Sequence, residues 1–201
     1  MPVSMYSVSI PVFIQHLNGL NAVLDKAATW AAARKVSEAD LLNMRLSPDM
    51  FNLTRQVRAA TDHAANAAGR LSGKELLKFA NDETTIAQLR DRFAKTVEYL
   101  KGVKQGEVDG TEGKEIKITF PSGQTREFTG QSLLLGNALP NFYFHATTAR
   151  YHQEFRRGDR QARFSWDVAV KTGQVVVPEP LEPRSRNAIN RPAANPPTCA
   201  M

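Results

Sequence analysis

The sequence has little of what marks a secreted or membrane protein. Its one cysteine, Cys199, leaves no partner for an intramolecular disulfide, which favours a reducing compartment. No apolar run approaches the roughly 20 residues that a membrane-spanning helix requires. The N-terminus also lacks the basic-then-apolar pattern of a signal peptide. We therefore expect a cytoplasmic protein with no membrane segment.

Motifs of catalysis and nucleic-acid binding are scarce as well. The sequence has no nucleophile–base motif, phosphate-binding glycine loop or paired CxxC. The net charge is +6, but the residues after Tyr151 hold eight Lys and Arg against five Asp and Glu, which is half of that excess. The other half is spread over helices without a stripe of basic and aromatic residues. We therefore expect no nucleic-acid partner.

Four segments carry apolar residues at alternating three- and four-residue steps, the pattern of amphipathic helices. The first two stripes are Ile10, Phe13, Leu17, Leu20, Leu24, Ala27 and Ala31, then Met50, Leu53, Val57, Ala60, Ala64, Ala67 and Leu71. The last two are Ile86, Leu89, Phe93, Val97 and Leu100, then Leu135, Ala138, Phe142, His145 and Ala149. Charged residues on the third helix, including Arg92, are assigned to its exposed face. Ser47-Pro48-Asp49 predicts the start of the second helix, and Thr84 or Thr85 the cap of the third.

A period of two replaces the helical period between Lys114 and Phe128, where Pro121-Ser122-Gly123 predicts a turn. This is a short β-hairpin, and Phe120 and Phe128 are expected to close one end of the bundle. The predicted fold is all-α: a four-helix bundle with the hairpin inserted before the last helix. The long connections leave both up-and-down and crossover topologies open.

The last helix contains the strongest hint of a polar site. Asn141 lies one turn before His145, so the two side chains are expected to meet on the core-facing stripe. Pro140 removes a backbone N–H and is expected to kink the helix just before the histidine.

Three segments resemble the DUF1993 family, which belongs to the DinB/YfiT-like superfamily of four-helix bundles. They are SMYSVSIPVFIQHLNGLNAVLDKA, LLNMRLSPDMFNLTRQVRAATDHA and GQSLLLGNALPNFYFHATTA. The resemblance covers Met5 to Ala149 and implies a bundle domain over residues 1–150. It also implies a homodimer. The family has no established activity, although the superfamily includes metal-dependent thiol transferases.

Superfamily metal sites use one histidine on the second helix and two on the fourth, four residues apart. The matching positions here are Gln56, Asn141 and His145, and carboxamides are poor ligands for Zn or Ni. The first interpretation is therefore a structural polar cluster in a ligand- or partner-binding protein without a cofactor. The alternative is a DinB-like metal-dependent thiol transferase or hydrolase, in which His145 binds Zn or Ni. It needs His16 or His63 as a further nitrogen donor.

The other polar and aromatic candidates receive simpler interpretations. Asp62 is interpreted as a solvated charge, and Tyr143 and Phe144 as packing or dimer contacts. His152 is set aside because it follows the family-like region.

Residues 151–201 form a tail without family resemblance, and the proline-rich stretch from Val177 to Met201 predicts disorder. Family members continue here with a sequence like VEIGKRDFLG. The genetic code allows a choice of codons for the residues from Gly158 to Trp166 that, read one base later and completed by the first base of Asp167, encodes EIGKRDFLG. The hypothesis is that the reading frame slipped near Arg150 and that the tail is translated out of frame.

Overall fold

The computed structural model describes residues 4–119, 123–157, 170–171 and 174–175, with side chains described up to His152. The helices are α1 (Ile10–Ala33), α2 (Glu38–Asn43), α3 (Leu53–Ser72), α4 (Ile86–Lys101), α5 (Gln105–Val108) and α6 (Leu139–Arg157). Strands β1 (Glu115–Thr119) and β2 (Thr125–Thr129) form an antiparallel hairpin before the last helix. The predicted all-α fold with an inserted hairpin is confirmed. None of the described helices has both the length and the apolar character to cross a membrane.

The long helices do not follow one another around the bundle. Helix α1 packs mainly against α4 and α6, and α3 packs against the same two helices. The ring order is therefore α1–α4–α3–α6. Two connections, from α1 to α3 and from α4 to α6, cross an end of the bundle, so the topology is of the crossover kind.

Helix α1 is the element that the apolar pattern predicted in full. Every residue of its predicted stripe is buried. Pro11 lies in the first turn, where a missing N–H leaves no helical bond unmade. Ser9 occupies the N-cap position, yet its hydroxyl donates to the Met5 carbonyl at 2.6 Å and does not cap the helix.

Helix α3 begins later than Ser47-Pro48-Asp49 predicted. The Asn52 side chain accepts the Arg55 amide at 2.9 Å and caps a helix that starts at Leu53. Met50 consequently precedes the helix and is only partly buried, whereas the stripe from Leu53 to Leu71 is buried as predicted. The Ser47 segment is a turn, closed by a hydrogen bond from the Met50 amide to the Ser47 carbonyl.

Residues Ser132–Ala138 form a π-helical segment that leads into α6. Each π turn takes in one extra residue, so the helix face rotates relative to an α-helical register. Leu134 is therefore fully buried while Leu135, predicted in the stripe, is 48% exposed. The Leu139 amide bonds back to Leu134, and the wide turns accommodate Pro140 immediately afterwards.

The hairpin side of the bundle is described in part. Ile116 is buried and Phe128 packs against the core, in agreement with the predicted role of Phe128. Phe120 lies outside the described residues, so its predicted role stays a prediction.

Helix α6 continues to Arg157, past the predicted boundary at residue 150. Contacts divide the chain after Gln161, and in the second unit Val170–Lys171 pairs with Gln174–Val175 as two antiparallel strands. The predicted disorder of residues 177–201 falls outside the described residues. The same is true of the segment from Gly158 to Trp166, so the frame-slip hypothesis stays a prediction.

Candidate ligand-binding cleft

His145 and Gln56 form the centre of the site. His145 Nδ1 lies 2.8 Å from Gln56 Oε1, in a contact that joins α6 to α3. The Gln56 amide nitrogen donates to the Phe51 carbonyl at 3.4 Å, which turns its oxygen towards the imidazole. With this amide orientation, His145 Nδ1 carries the hydrogen and Nε2 holds the lone pair. Nε2 makes no hydrogen bond to any residue that the structure describes.

Two further rings lie nearly parallel to the His145 ring. The Phe51 and His145 centroids are 5.9 Å apart with 4° between their planes, and those of His63 and His145 are 5.6 Å apart with 11°. Burial, together with the neighbouring His145, lowers the pKa of His63 to about 4. Burial also lowers the pKa of His145. Both imidazoles are therefore neutral at pH 7, and each offers a lone pair.

The polar contact between α3 and α4 is built around Arg92, whose assignment to an exposed surface is wrong. Its side chain is 1% exposed, and its guanidinium bonds Glu83 Oε1 at 2.6 Å and Asp62 Oδ1 at 2.5 Å. Thr61 Oγ1 and Asn81 Oδ1 accept further hydrogen bonds at 2.6 and 2.8 Å. Arg92 lies three residues after Leu89 and directly before Phe93, within the buried arc of α4. We call Arg92, Asp62, Glu83, Thr61 and Asn81 the Arg92 network.

The carboxylates of the Arg92 network differ in their environments. Glu83 also accepts a bond from Arg58 Nε at 2.6 Å. Burial opposes its ionisation, but the hydrogen bonds from Arg92 and the backbone and the charges of Arg92 and Arg58 together outweigh it and lower the pKa of Glu83. Burial raises the pKa of Asp62 against the pull of Arg92. Asp62 was interpreted as a solvated charge; its side chain is 38% exposed, but it is ion-paired with Arg92.

The two imidazoles and part of the Arg92 network border an open cleft of about 620 Å³ between α3, α6 and the loop before α4. It is lined by Phe51, Arg55, Arg58, Ala59, Asp62, His63, Asn81 and His145. A volume of this size matches small-molecule sites, which measure about 300–1,000 Å³. The apolar pattern pointed to His145. It gave no sign of Arg55 or Asn81, which come from the first turn of α3 and from a loop with a left-handed residue at Asn81 (φ 61°).

Asn141 is not brought to His145. Its amide donates to the Asn137 carbonyl at 2.7 Å, one turn back on its own helix. The predicted set of three is therefore a pair, Gln56 and His145, with Asn141 bonded elsewhere.

The superfamily's metal ion does not fit this arrangement. Gln56 Oε1 already faces the N–H of His145, and among the described residues no three His, Cys, Asp or Glu side chains are placed to hold a metal. His63, which the metal-dependent alternative needs, stacks on His145. His63 and His145 thus supply at most two nitrogen donors among the described residues, fewer than the three protein ligands of a catalytic zinc site.

The remaining candidates lie elsewhere on the bundle. His16 Nδ1 is 2.8 Å from the Val12 carbonyl, and its ring contacts Tyr143 edge-on. Tyr143 and Phe144 are 39% and 56% exposed. His152, which the sequence analysis set aside, is buried on α6. Its burial corrects that exclusion, because the packed part of the helix extends past Ala149.

The chain is similar to known proteins over most of its length. Residues 5–152 match the family model described as a domain of unknown function, DUF1993. The chain belongs to the DUF1993 family. This DUF1993 protein is also similar to a solved structure of a DinB family member from Shewanella denitrificans, with 36% identity and a TM-score of 0.69. The match covers 79% of this chain and 88% of the other. No curated protein matches the chain.

Proposed function

We propose that the protein binds a small molecule in the cleft of His63 and His145 and carries out no metal-dependent catalysis. The observation that carries this proposal is the state of the two imidazoles. Gln56 orients His145, while Nε2 of His145 and both nitrogens of His63 make no hydrogen bond to a described residue. Polar atoms that border a cleft without protein partners are available to a ligand.

The metal-dependent thiol transferase or hydrolase is the less favoured function. That activity requires an ion with an open coordination position, held by about three protein ligands. Of the three matching positions, only His145 is a histidine. The Gln56 amide oxygen accepts a hydrogen bond from His145, and the Asn141 amide donates to a carbonyl of its own helix. His145 here acts as a hydrogen-bonding group.

A cytoplasmic homodimer is part of the proposal. Four large apolar side chains on the last helix and its π segment are exposed: Leu135, Tyr143, Phe144 and Tyr151. A second copy that covers these side chains would bury them, since apolar surface left in water is unfavourable. The single cysteine of the chain favours a reducing compartment. Sedimentation equilibrium of the protein beside Phe144→Ser tests the dimer, which the substitution should weaken.

Binding is tested by NMR of the protein with 15N-labelled histidine while a fragment library is added. Fragments that occupy the cleft should shift the ring signals of His63 and His145 and leave His16 unchanged. A library that shifts neither of the two cleft signals would refute the proposal.

Metal dependence is tested separately, by elemental analysis of protein purified without chelators beside a His145→Ala control. We expect no stoichiometric metal in either sample. Near-stoichiometric Zn or Ni that disappears in His145→Ala would favour the metal-dependent enzyme.

A further inference from the structure

The cleft presents a series of flat groups in pairwise contact. The Arg55 guanidinium lies over the Phe51 ring, 3.8 Å from its centroid. Phe51 is parallel to His145, and His145 is parallel to His63. A ligand that enters this cleft meets the faces and edges of planar groups, which favour a planar partner over a saturated one of the same size.

Among the residues that the structure describes, the charges around the cleft leave one cation without a counter-ion. Arg92 is paired with Asp62 and Glu83, and Arg58 is paired with Glu83. No described carboxylate lies within ion-pairing distance of Arg55, whose guanidinium lines the mouth of the cleft. Three arginines thus face two carboxylates. The uncompensated charge is at Arg55, where it favours an anionic group.

The neutral side of the cleft lies at the histidines. His63 and His145 Nε2 offer hydrogen-bonding atoms that carry no charge at pH 7. Among the described residues, the one carboxylate that lines the cleft, Asp62, already bonds Arg92. An anion at the histidine side would lie near Asp62, whereas one at Arg55 faces the open cation. The Arg55 end of the cleft therefore favours the anionic group of a ligand, and the histidine end favours its uncharged part.

We propose that the cleft binds a flat aromatic carboxylate, with its carboxylate on Arg55 and its ring against Phe51 and the two imidazoles. This inference rests on the proposed function, since it names the class of ligand for the same cleft. Arg55 fixes the orientation through its charge, and the rings fix the preference for a planar ligand.

The probes are 2-naphthoate, its neutral amide 2-naphthamide, and the non-planar anion cyclohexanecarboxylate. Binding is followed through the histidine ring signals of the full chain. We expect 2-naphthoate to bind about fivefold more tightly than the amide, because an ion pair at a partly exposed site contributes modestly. We expect a loss of similar size or larger for cyclohexanecarboxylate, since the stacking contacts are absent.

Two substitutions of Arg55 separate charge from shape. Arg55→Gln should bring the affinity for 2-naphthoate down to that for the amide, and Arg55→Lys should retain most of the difference. Arg90→Gln is the matched control, because Arg90 is exposed on α4 and pairs with Asp25 outside the cleft. It should leave all three affinities unchanged.

The outcomes separate the ligand class from the proposed function. Equal binding of 2-naphthoate and 2-naphthamide, or binding of 2-naphthoate that Arg55→Gln leaves unchanged, would overturn the aromatic carboxylate while the cleft remains a binding site. If fragments of other chemistry shift His63 and His145 but 2-naphthoate does not, the ligand class is again wrong. Only a library in which no fragment shifts the ring signals of His63 or His145 would refute the proposed function itself.

Discussion

Helix α1 and the contact between α3 and α4 are both buried, but they are held in different ways. The stripe of α1 is wholly apolar and contributes through the area that it removes from water. The contact between α3 and α4 contains a buried guanidinium whose hydrogen-bond acceptors come from α3 and from the loop before α4. The packing of α1 requires apolar side chains of suitable volume at helical spacing, whereas the contact between α3 and α4 requires particular hydrogen-bond partners at particular distances.

This difference decides how each region responds to change. An apolar contact loses stability in proportion to the volume removed and tolerates replacements of similar size. A buried ion network loses much more when one member is deleted, because the remaining charges are left desolvated and unpaired. The cleft is built on the second kind of contact, since Asp62 and Asn81 both line it and bond Arg92.

The largest effect is expected for Arg92→Ala. Removing the guanidinium leaves Glu83 buried with one partner fewer and Asp62 without its ion pair, which should lower the free energy of unfolding by about 3–5 kcal/mol. Urea denaturation measures this change. Arg90→Ala, on the exposed side of the same helix, is the control and should cost less than about 1 kcal/mol. Similar losses in the two variants would show that the Arg92 network adds nothing to stability.

A matched pair in the π segment tests the apolar register. Leu134 is fully buried and Leu135 is 48% exposed. Leu134→Ala should therefore cost about 2–4 kcal/mol, as for buried leucines in general. Leu135→Ala should change the free energy of unfolding by less than about 0.5 kcal/mol. A larger loss for Leu135→Ala than for Leu134→Ala in urea denaturation would contradict the π turns and favour a regular α-helical register.

His63 gives the cleft a dependence on pH. Its pKa is about 4 in the folded protein, below the ordinary value of 6.5. As the pH falls, the unfolded chain takes up the proton first, so His63 lowers the free energy of unfolding between pH 6.5 and 4. Allowing for partial exposure of the ring, we expect a loss of about 2 kcal/mol.

His63→Phe retains a flat ring and removes this titration. Its stability should fall less between pH 7 and pH 4 than that of the unchanged protein, by the amount assigned to His63. Parallel curves for the two proteins, measured by urea denaturation across this range, would show that His63 titrates normally in the fold.

The smallest effect is expected for a volume-conserving change in α1. Leu17→Met keeps the buried volume and should cost less than about 1.5 kcal/mol. Arg92→Lys is the equivalent conservative change in the Arg92 network, and it should cost more because an ammonium group cannot reproduce the guanidinium fork. A smaller loss for Arg92→Lys than for Leu17→Met, by thermal or urea unfolding, would contradict the distinction between the two regions.

The spacing of apolar residues along the chain predicted those features of the fold that depend on local sequence alone. It located the long helices and the α1 stripe, and it placed His145 on a buried face. It failed at Leu135, because the π turns before Pro140 shift the register that a regular helical period assumes. It also misplaced Arg92, although the step of three from Leu89 put that residue inside the buried arc.

What spacing could not predict is which distant residues satisfy a buried polar group. The acceptors for Arg92 come from α3 and from a loop, and neither Asp62 nor Glu83 carries a mark of that role in the sequence. For the same reason His63 could be placed near Gln56 on α3, but its parallel stacking on His145 required the packing of α3 against α6.

The hairpin segment leaves and rejoins the bundle at one point. A side chain at Gly130 would overlap the Thr111 carbonyl, and the Gln131 amide donates to the Glu112 carbonyl at 2.9 Å. The two ends of the hairpin segment thus contact each other at its base, directly before the π segment begins. Ile116 and Phe128, which face each other across the hairpin, pack against the core, so only the sequence beyond this pair can change without disturbing the bundle. The end of the hairpin beyond Ile116 and Phe128 is accordingly open to evolutionary replacement or to the grafting of a foreign loop, with Ile116, Phe128 and Gly130 as the positions that such an exchange must preserve.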